Sequence, residues 1–141
     1  MIVIDASIVI KLLYKEEASD TANDLLTSHL ENKEKIIVPK FLFIEVANAL
    51  TTKTSYTKGE IKDGLNLLYS FNFSIYELTK EDLIKASTFA KQYRTSVYDM
   101  LYAVIAKNKK IKLITADDNF VKKVGFPFVQ SLTQFEQLAP R

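Results

Sequence analysis

The sequence predicts an α/β domain built on a mainly parallel sheet. Three features carry that expectation. Short β-branched apolar runs recur at Ile2-Val3-Ile4, at Ile36-Ile37-Val38 and over residues 111–115. Runs that are apolar at every position, rather than at alternate ones, suit strands covered on both faces. Between them lie longer segments whose apolar residues return at helical spacing. Finally, 3 Gly and 3 Pro in 141 residues leave little room for flexible linkers. A single domain over residues 1–141 is therefore expected.

Along the chain, Ile2-Val3-Ile4 reads as a strand that ends at Asp5, and a helix follows over residues 7–14. A second helix over residues 18–30 sets Ala18, Ala22, Leu25, Leu26 and Leu30 near one face. Ile36-Ile37-Val38 is a second strand, closed by Pro39, and residues 41–50 form a strongly apolar helix. Thr57-Lys58-Gly59-Glu60 is a capping-box pattern that opens another helix, reaching about residue 69. Residues 73–78 read as a third strand. Thr79-Lys80-Glu81-Asp82 begins a helix running toward Tyr93, and residues 97–107 form a helix that is apolar on nearly every side. Residues 111–115 are the fourth strand. A short helix after Asp117, a short strand near residues 126–129 and a final helical turn near Phe135 complete the chain. Alternation of strands with helices is what defines the α/β class.

Composition removes several kinds of function. With 48% hydrophobic and 26% charged residues, the chain has the make-up of a soluble globular protein. No apolar stretch reaches the ~18–20 residues that span a bilayer. The opening Met-Ile-Val-Ile-Asp lacks the basic start and small-residue cleavage site of a signal peptide. Cysteine is absent, which rules out disulfides and thiolate zinc sites and fits a reduced, cytoplasmic setting. The net charge of +2 selects no partner by itself. Should four carboxylates share one cleft, the rest of the chain would carry +6. An acidic pocket in a mildly basic surface suits a polyanion whose phosphate meets metal ions.

Four acidic residues stand in surroundings unlike a surface, where charges are normally found. Asp5 ends the first buried strand, beyond which ligands gather in open α/β sheets; it would equally serve as a helix cap. Glu45 lies in Phe41-Leu42-Phe43-Ile44-Glu45-Val46-Ala47-Asn48, forming a narrow polar stripe with Asn48 and Thr52, and the alternative is a solvated helix face. Asp99 is the only charge in Val97-Tyr98-Asp99-Met100-Leu101-Tyr102-Ala103. Ala103 and Ala106 leave space beside it, while Ser96 three residues earlier makes a capping pair the competing explanation. Asp117 and Asp118 follow the fourth strand, and neighbours in sequence do not readily face one point. Asp117 is assigned to the site and Asp118 to its rim, with one of the two expected to cap the short helix.

Taken together, two carboxylates end buried strands and two sit in apolar helices. Crowded carboxylates resist ionisation, and a divalent cation removes that cost. All-oxygen ligation points to Mg2+ or Mn2+ rather than zinc or copper. Other chemistries find little footing. The only histidine, His29, reads as a surface residue. Ser7 has no histidine partner nearby, and no glycine-rich phosphate loop occurs. Lysines 107, 109, 110 and 112 form a basic cluster that reads as a solvated helix end.

These residues resemble the PIN-domain family, and within it the VapC-type toxins of toxin–antitoxin pairs. Ile4-Asp5-Ala6-Ser7-Ile8-Val9-Ile10-Lys11, followed by Glu16-Glu17-Ala18-Ser19-Asp20-Thr21-Ala22, is similar to the family's first motif. Val38-Pro39 with Glu45-Val46 and Asn48-Ala49-Leu50 is similar to the second, Tyr98-Asp99-Met100-Leu101-Tyr102-Ala103 to the third, and Leu113-Ile114-Thr115-Ala116-Asp117-Asp118-Asn119-Phe120 to the fourth. Leu12 stands where an aromatic residue is frequent, a departure that touches packing.

The resemblance implies a PIN-like three-layer α/β/α sandwich with a central five-stranded parallel sheet. It implies that Asp5, Glu45, Asp99 and Asp117 are catalytic and hold Mg2+ or Mn2+, Asp5 and Asp99 directly and the other two in addition. Ser7, Asn48 and Thr115 would orient the carboxylates or bound water. The implied activity is metal-dependent endoribonuclease cleavage of RNA by a homodimeric toxin that a small antitoxin silences. Two other readings remain open at this point. One is a PIN-like module that binds RNA or a partner without turnover. The other is a haloacid-dehalogenase-like phosphatase, disfavoured because Ser7 stands where a second aspartate is needed.

Overall fold

A computed structural model describes residues 1–14 and 19–138. The elements run β1 (Ile2–Ile4), α1 (Ala6–Leu13), α2 (Asp20–Leu30), β2 (Ile36–Pro39), α3 (Phe41–Thr52), α4 (Lys58–Ser70), β3 (Ser74–Tyr76), α5 (Lys80–Tyr93), α6 (Val97–Lys109), β4 (Lys112–Thr115), α7 (Asp118–Val124), β5 (Val129–Ser131) and α8 (Leu132–Leu138). All pairings are parallel, in the order β3-β2-β1-β4-β5. Successive strand residues point to opposite faces, and all three residues of β1 are buried. Both faces of the sheet are therefore covered, giving the α/β/α sandwich. Helices α1 and α6 each pack on β1 and β4, α1 within a group including α3 and α4, and α6 against α5.

The apolar runs form strands because nothing else in the domain can cover them on both sides. Ile2, Val3, Ile4, Ile36, Val38, Leu113 and Ile114 all lie in one core. Helix α6 is the most enclosed helix, with every residue from Met100 to Ala106 buried. Ala103 and Ala106 belong to that core and do not border an open space; their small side chains let α6 sit close on its neighbours. The capping box of Thr57 with Glu60 forms as expected, and Thr79 with Asp82 forms a second one. Asp82 does more. It also accepts hydrogen bonds from the Tyr76 hydroxyl (3.0 Å) and the Asn108 amide (2.8 Å), tying β3 and α6 to the start of α5.

Several boundaries differ from the sequence expectation. The helix start at Ala18 lies outside the described residues, and α2 is capped by Ser19, which accepts from the Ala22 N–H. β3 covers only Ser74–Tyr76, because its pairing with β2 ends where Pro39 meets Tyr76. The last strand begins at Val129 rather than near residue 126. The Val129 N–H closes a turn onto the Phe126 carbonyl (3.1 Å), and Phe126 packs against Phe89, Tyr93 and Phe128.

His29 is a clear correction. It is 3% exposed rather than on the surface. Its Nδ1 accepts from the Ile36 N–H (2.9 Å), so Nε2 carries the proton and donates to the carbonyls of Phe71 (3.0 Å) and Asn72 (3.2 Å). One imidazole thus ties α2 to the start of β2 and the end of α4. The signal was present in the spacing, since His29 continues the buried face of Ala22 and Leu25. Truncation would orphan the Ile36 N–H and open a cavity, so His29→Ala is expected to cost about 3 kcal/mol. Urea unfolding measures this, and a loss below about 1 kcal/mol would contradict the tie.

Candidate active site

The sheet order places a site before any side chain is considered. From β1 the chain moves outward to β2 and β3, then returns to the other side of β1 for β4 and β5. The switch point lies between β1 and β4, and in open α/β sheets ligands bind beyond the carboxyl ends of the strands there. Ile4 pairs with Ile114. The next residues along, Asp5 and Thr115, are therefore neighbours across that seam.

Asp5 fills the capping role and also faces the seam. It caps α1, its Oδ1 accepting from the backbone N–H of Ser7 (3.1 Å) and of Ile8 (3.4 Å). Oδ1 also takes the Ser7 hydroxyl (2.5 Å), and Oδ2 takes the Thr115 hydroxyl. These hydroxyls are held in turn, for Ser7 Oγ accepts from the Ala116 N–H (2.9 Å) and Thr115 Oγ1 from the Asp117 N–H (3.1 Å). Burial pushes the Asp5 carboxyl up to about 6; the Ser7, Thr115 and Ile8 hydrogen bonds oppose the rise, and the Asp99 charge adds to it.

Asp99 comes from α6, which packs on the seam, and Glu45 from α3, which packs on α1. Tyr102, 1% exposed, donates its hydroxyl to Glu45 Oε1 at 2.6 Å. Burial lifts the Glu45 carboxyl above its ordinary range; Tyr102 opposes this, the charges of Asp99 and Asp5 add to it, and Lys53 relieves it. Asp99 is raised by burial too, with Ser96 opposing, Asp117 adding and Lys123 opposing. Ser96 caps α6 by accepting the Asp99 N–H (3.0 Å). Asp99 is thus the electrostatic link among all four acids. Asp117 is exposed and caps α7 through the Phe120 N–H (3.1 Å). Asp117 is therefore the one of the pair that caps α7, and Asp118 is an exposed first-turn residue.

A cavity of about 480 Å³ opens beside this group, lined in part by Ser7, Lys11, Tyr14, Glu45, Lys53 and Asp117. A smaller one of about 130 Å³, lined in part by Arg94, Ser96, Asp99, Asp117 and Lys123, lies on the Asp99 side. Asn48 and Thr52 are not drawn in. Both are exposed, and the Thr52 hydroxyl bonds back to the Asn48 carbonyl (2.8 Å). Tyr102 is the site residue that the sequence reading missed. Its signal was a hydroxyl-bearing aromatic in an otherwise apolar helix, one turn from Asp99 and so on the same face. Among the described residues, no group of three or more His, Cys, Asp or Glu side chains is spaced to hold a metal ion.

Fold and site together define a parallel α/β domain with electrically coupled carboxylates at its switch point. The PIN domain family model matches residues 2–126, and the chain belongs to that family. Comparison with curated protein sequences finds no match. Among solved structures, the chain is similar to PAE2754 from Pyrobaculum aerophilum (18% identity, TM-score 0.69, 94% of this chain and 89% of that one). It is also similar to a toxin–antitoxin complex from Klebsiella pneumoniae (16%, TM-score 0.67, 94% and 98%). A third is VapC20 of Mycobacterium tuberculosis, described as a Sarcin-Ricin loop cleaving toxin (14%, TM-score 0.65, 92% and 99%).

The Asp5 environment sets a pH dependence in metal-free protein. Its folded value of about 6 lies above the ~3.9 of an unfolded aspartate. The associated stability is complete below about pH 4 and is lost as pH rises through about 6. Asp5→Asn removes this dependence. Urea unfolding in chelator should show wild type losing stability relative to Asp5→Asn across that window; parallel profiles would contradict the assignment.

Proposed function

We propose that the protein is a Mg2+- or Mn2+-dependent endoribonuclease and the toxin of a toxin–antitoxin pair. The observation that carries this reading is Asp5, a half-buried carboxylate at the switch point, raised by desolvation and further by the Asp99 charge. A protein gains nothing in stability from such an arrangement. A hard divalent cation relieves it, and the donors present are all oxygens, the type such ions prefer. Mg2+ commonly takes one or two carboxylates and completes its shell with water, so it does not require three acids in one cage.

Asp5 and Asp99 would hold the ion directly, with Glu45 and Asp117 adding charge around it. When bound, it supplies an activated water and a counter-charge for the phosphodiester oxygens. Ser7 and Thr115 fix both oxygens of Asp5, and Tyr102 fixes one oxygen of Glu45, leaving its other oxygen free of that bond. The solved relatives described as toxins, one of them in complex with its antitoxin, support a small antitoxin as partner, and the same reading carries a homodimer working in the cytoplasm. The alternative is an RNA- or partner-binding module without turnover.

Incubation with labelled RNA separates the two. Cleavage should require Mg2+ or Mn2+ and stop in chelator. Asp5→Asn and Asp99→Asn should each lose about a hundredfold or more, since several kcal/mol of charge stabilisation goes with each, while circular dichroism stays that of wild type. Wild-type rates in either variant would remove that residue from the site, and no cleavage by wild type on any RNA would leave the binding module.

Tyr102→Phe tests the support beneath Glu45. It deletes one hydroxyl from the core, and loss of a partner that orients a ligand typically weakens metal affinity by about 10–100-fold. Mn2+ calorimetry on the folded variant should show a loss of about tenfold. Unchanged affinity would reduce Tyr102 to packing.

A further inference from the structure

We propose that the acidic cleft lies on a basic track for a single-stranded RNA backbone, Lys11 and Lys53 gripping the phosphates on one side of the cut and Arg94 and Lys123 those on the other. This rests on the nuclease reading above. Both cavities described at the site have Asp117 in their lining, so they adjoin at that carboxylate. Each brings its own pair of cations. Lys11 and Lys53 line the larger cavity with Glu45, and Arg94 and Lys123 line the smaller with Asp99.

None of those cations is held in a close ion pair among the described residues. The ion pairs found among the described residues join Met1 to Glu34, Lys33 to Glu31 and Lys40 to Glu77; none uses Lys11, Lys53, Arg94 or Lys123. Lys123 donates to the Arg94 carbonyl (3.0 Å), which holds that side of the track together. The larger cavity also presents Tyr14, braced edge-on by Tyr56 with ring centroids 5.2 Å apart. Cations along a groove beside an aromatic ring are the usual means of holding single strands, the cations on the phosphates and the ring under a base. Charge favours this occupant over a polypeptide. A basic side chain entering the larger cavity would share it with Lys11 and Lys53.

The more obvious basic cluster is in the wrong place. Lys109 is ten residues from Asp99 on α6, or about 15 Å along the helix axis, and Lys112 opens β4 at the end away from Thr115. Lys112 and the exposed α4 residue Lys62 therefore serve as controls.

The experiment is the salt dependence of binding, read by anisotropy of a fluorescein-labelled 12-nucleotide mixed-sequence RNA, with calcium replacing magnesium to hold back cleavage. Each phosphate contact on a single strand contributes about 0.7 to the slope of log K against log salt. Lys11→Ala/Lys53→Ala and Arg94→Gln/Lys123→Gln should each flatten the slope by about 1.4. Lys11→Arg/Lys53→Arg should keep it, which excludes misfolding as the cause. Tyr14→Leu should weaken binding about tenfold at unchanged slope, and Lys62→Ala/Lys112→Ala should bind as wild type.

Wild-type slope and affinity in both basic-pair variants would overturn the track. So would a polyglutamate peptide binding with the same lysine dependence, which would make the cavity a seat for an acidic protein partner. If those variants bind normally while wild type cleaves in magnesium, the track fails and the nuclease reading stands. RNA binding that depends on the lysines, without cleavage in magnesium, supports the track and removes the nuclease reading.

Discussion

The structure turns on the parallel pairing of β1 with β4. That seam is where the sheet reverses its strand order, and its register sets Asp5 beside Thr115. A shift of one residue would turn every side chain of the strand to the opposite face. The seam is held by burial, since Val3, Ile4, Leu113 and Ile114 are almost wholly enclosed. Packing of apolar strands thereby places a carboxylate at a fixed point, and two hydroxyls then hold its oxygens in fixed directions.

A domain with half-buried, mutually repelling acids gives up stability to keep them. Burial raises Asp5, Glu45 and Asp99, and charge from neighbouring acids raises each further. The compensation is local. Hydroxyls of Ser7, Thr115 and Tyr102 satisfy the carboxylates, and Lys53 and Lys123 temper Glu45 and Asp99 from the flanks. Elsewhere the domain spends its polar groups on cohesion. His29 and Asp82 are both enclosed and each joins three segments through hydrogen bonds. The contrast is informative: His29 and Asp82, remote from the cleft, bind other segments of the fold, whereas the carboxylates at the cleft keep charge to offer a ligand.

Much of this was legible in the sequence, and the limits have physical causes. Strands apolar at every position and helices with capping boxes announce themselves through local chemistry, as at Ile2–Ile4 and Thr57–Glu60. Asp5 stood out because a strand-ending aspartate has a restricted set of uses. Three-dimensional contacts were less visible. Tyr102 reaches Glu45 across 57 positions of sequence, and its place one turn from Asp99 does not reveal that distant acceptor. Asn48 sat at the right helical spacing, yet the turn of α3 leaves it exposed. His29 was misjudged because the residues around it are polar, although its own spacing matched the buried face. Phe126 and Phe128 read as strand but form a turn, since the aromatic cluster with Phe89 and Tyr93 outweighs β propensity there.

The central claim is that the coupled carboxylates are kept for a divalent cation. Titration of wild-type protein with Mn2+ at pH 7, followed by calorimetry and by thermal unfolding of the same samples, tests it most directly. The account predicts saturable binding together with a rise in Tm that grows with ion concentration, because the ion binds the folded state alone. Absence of binding heat, with Tm indifferent to the ion, would contradict it.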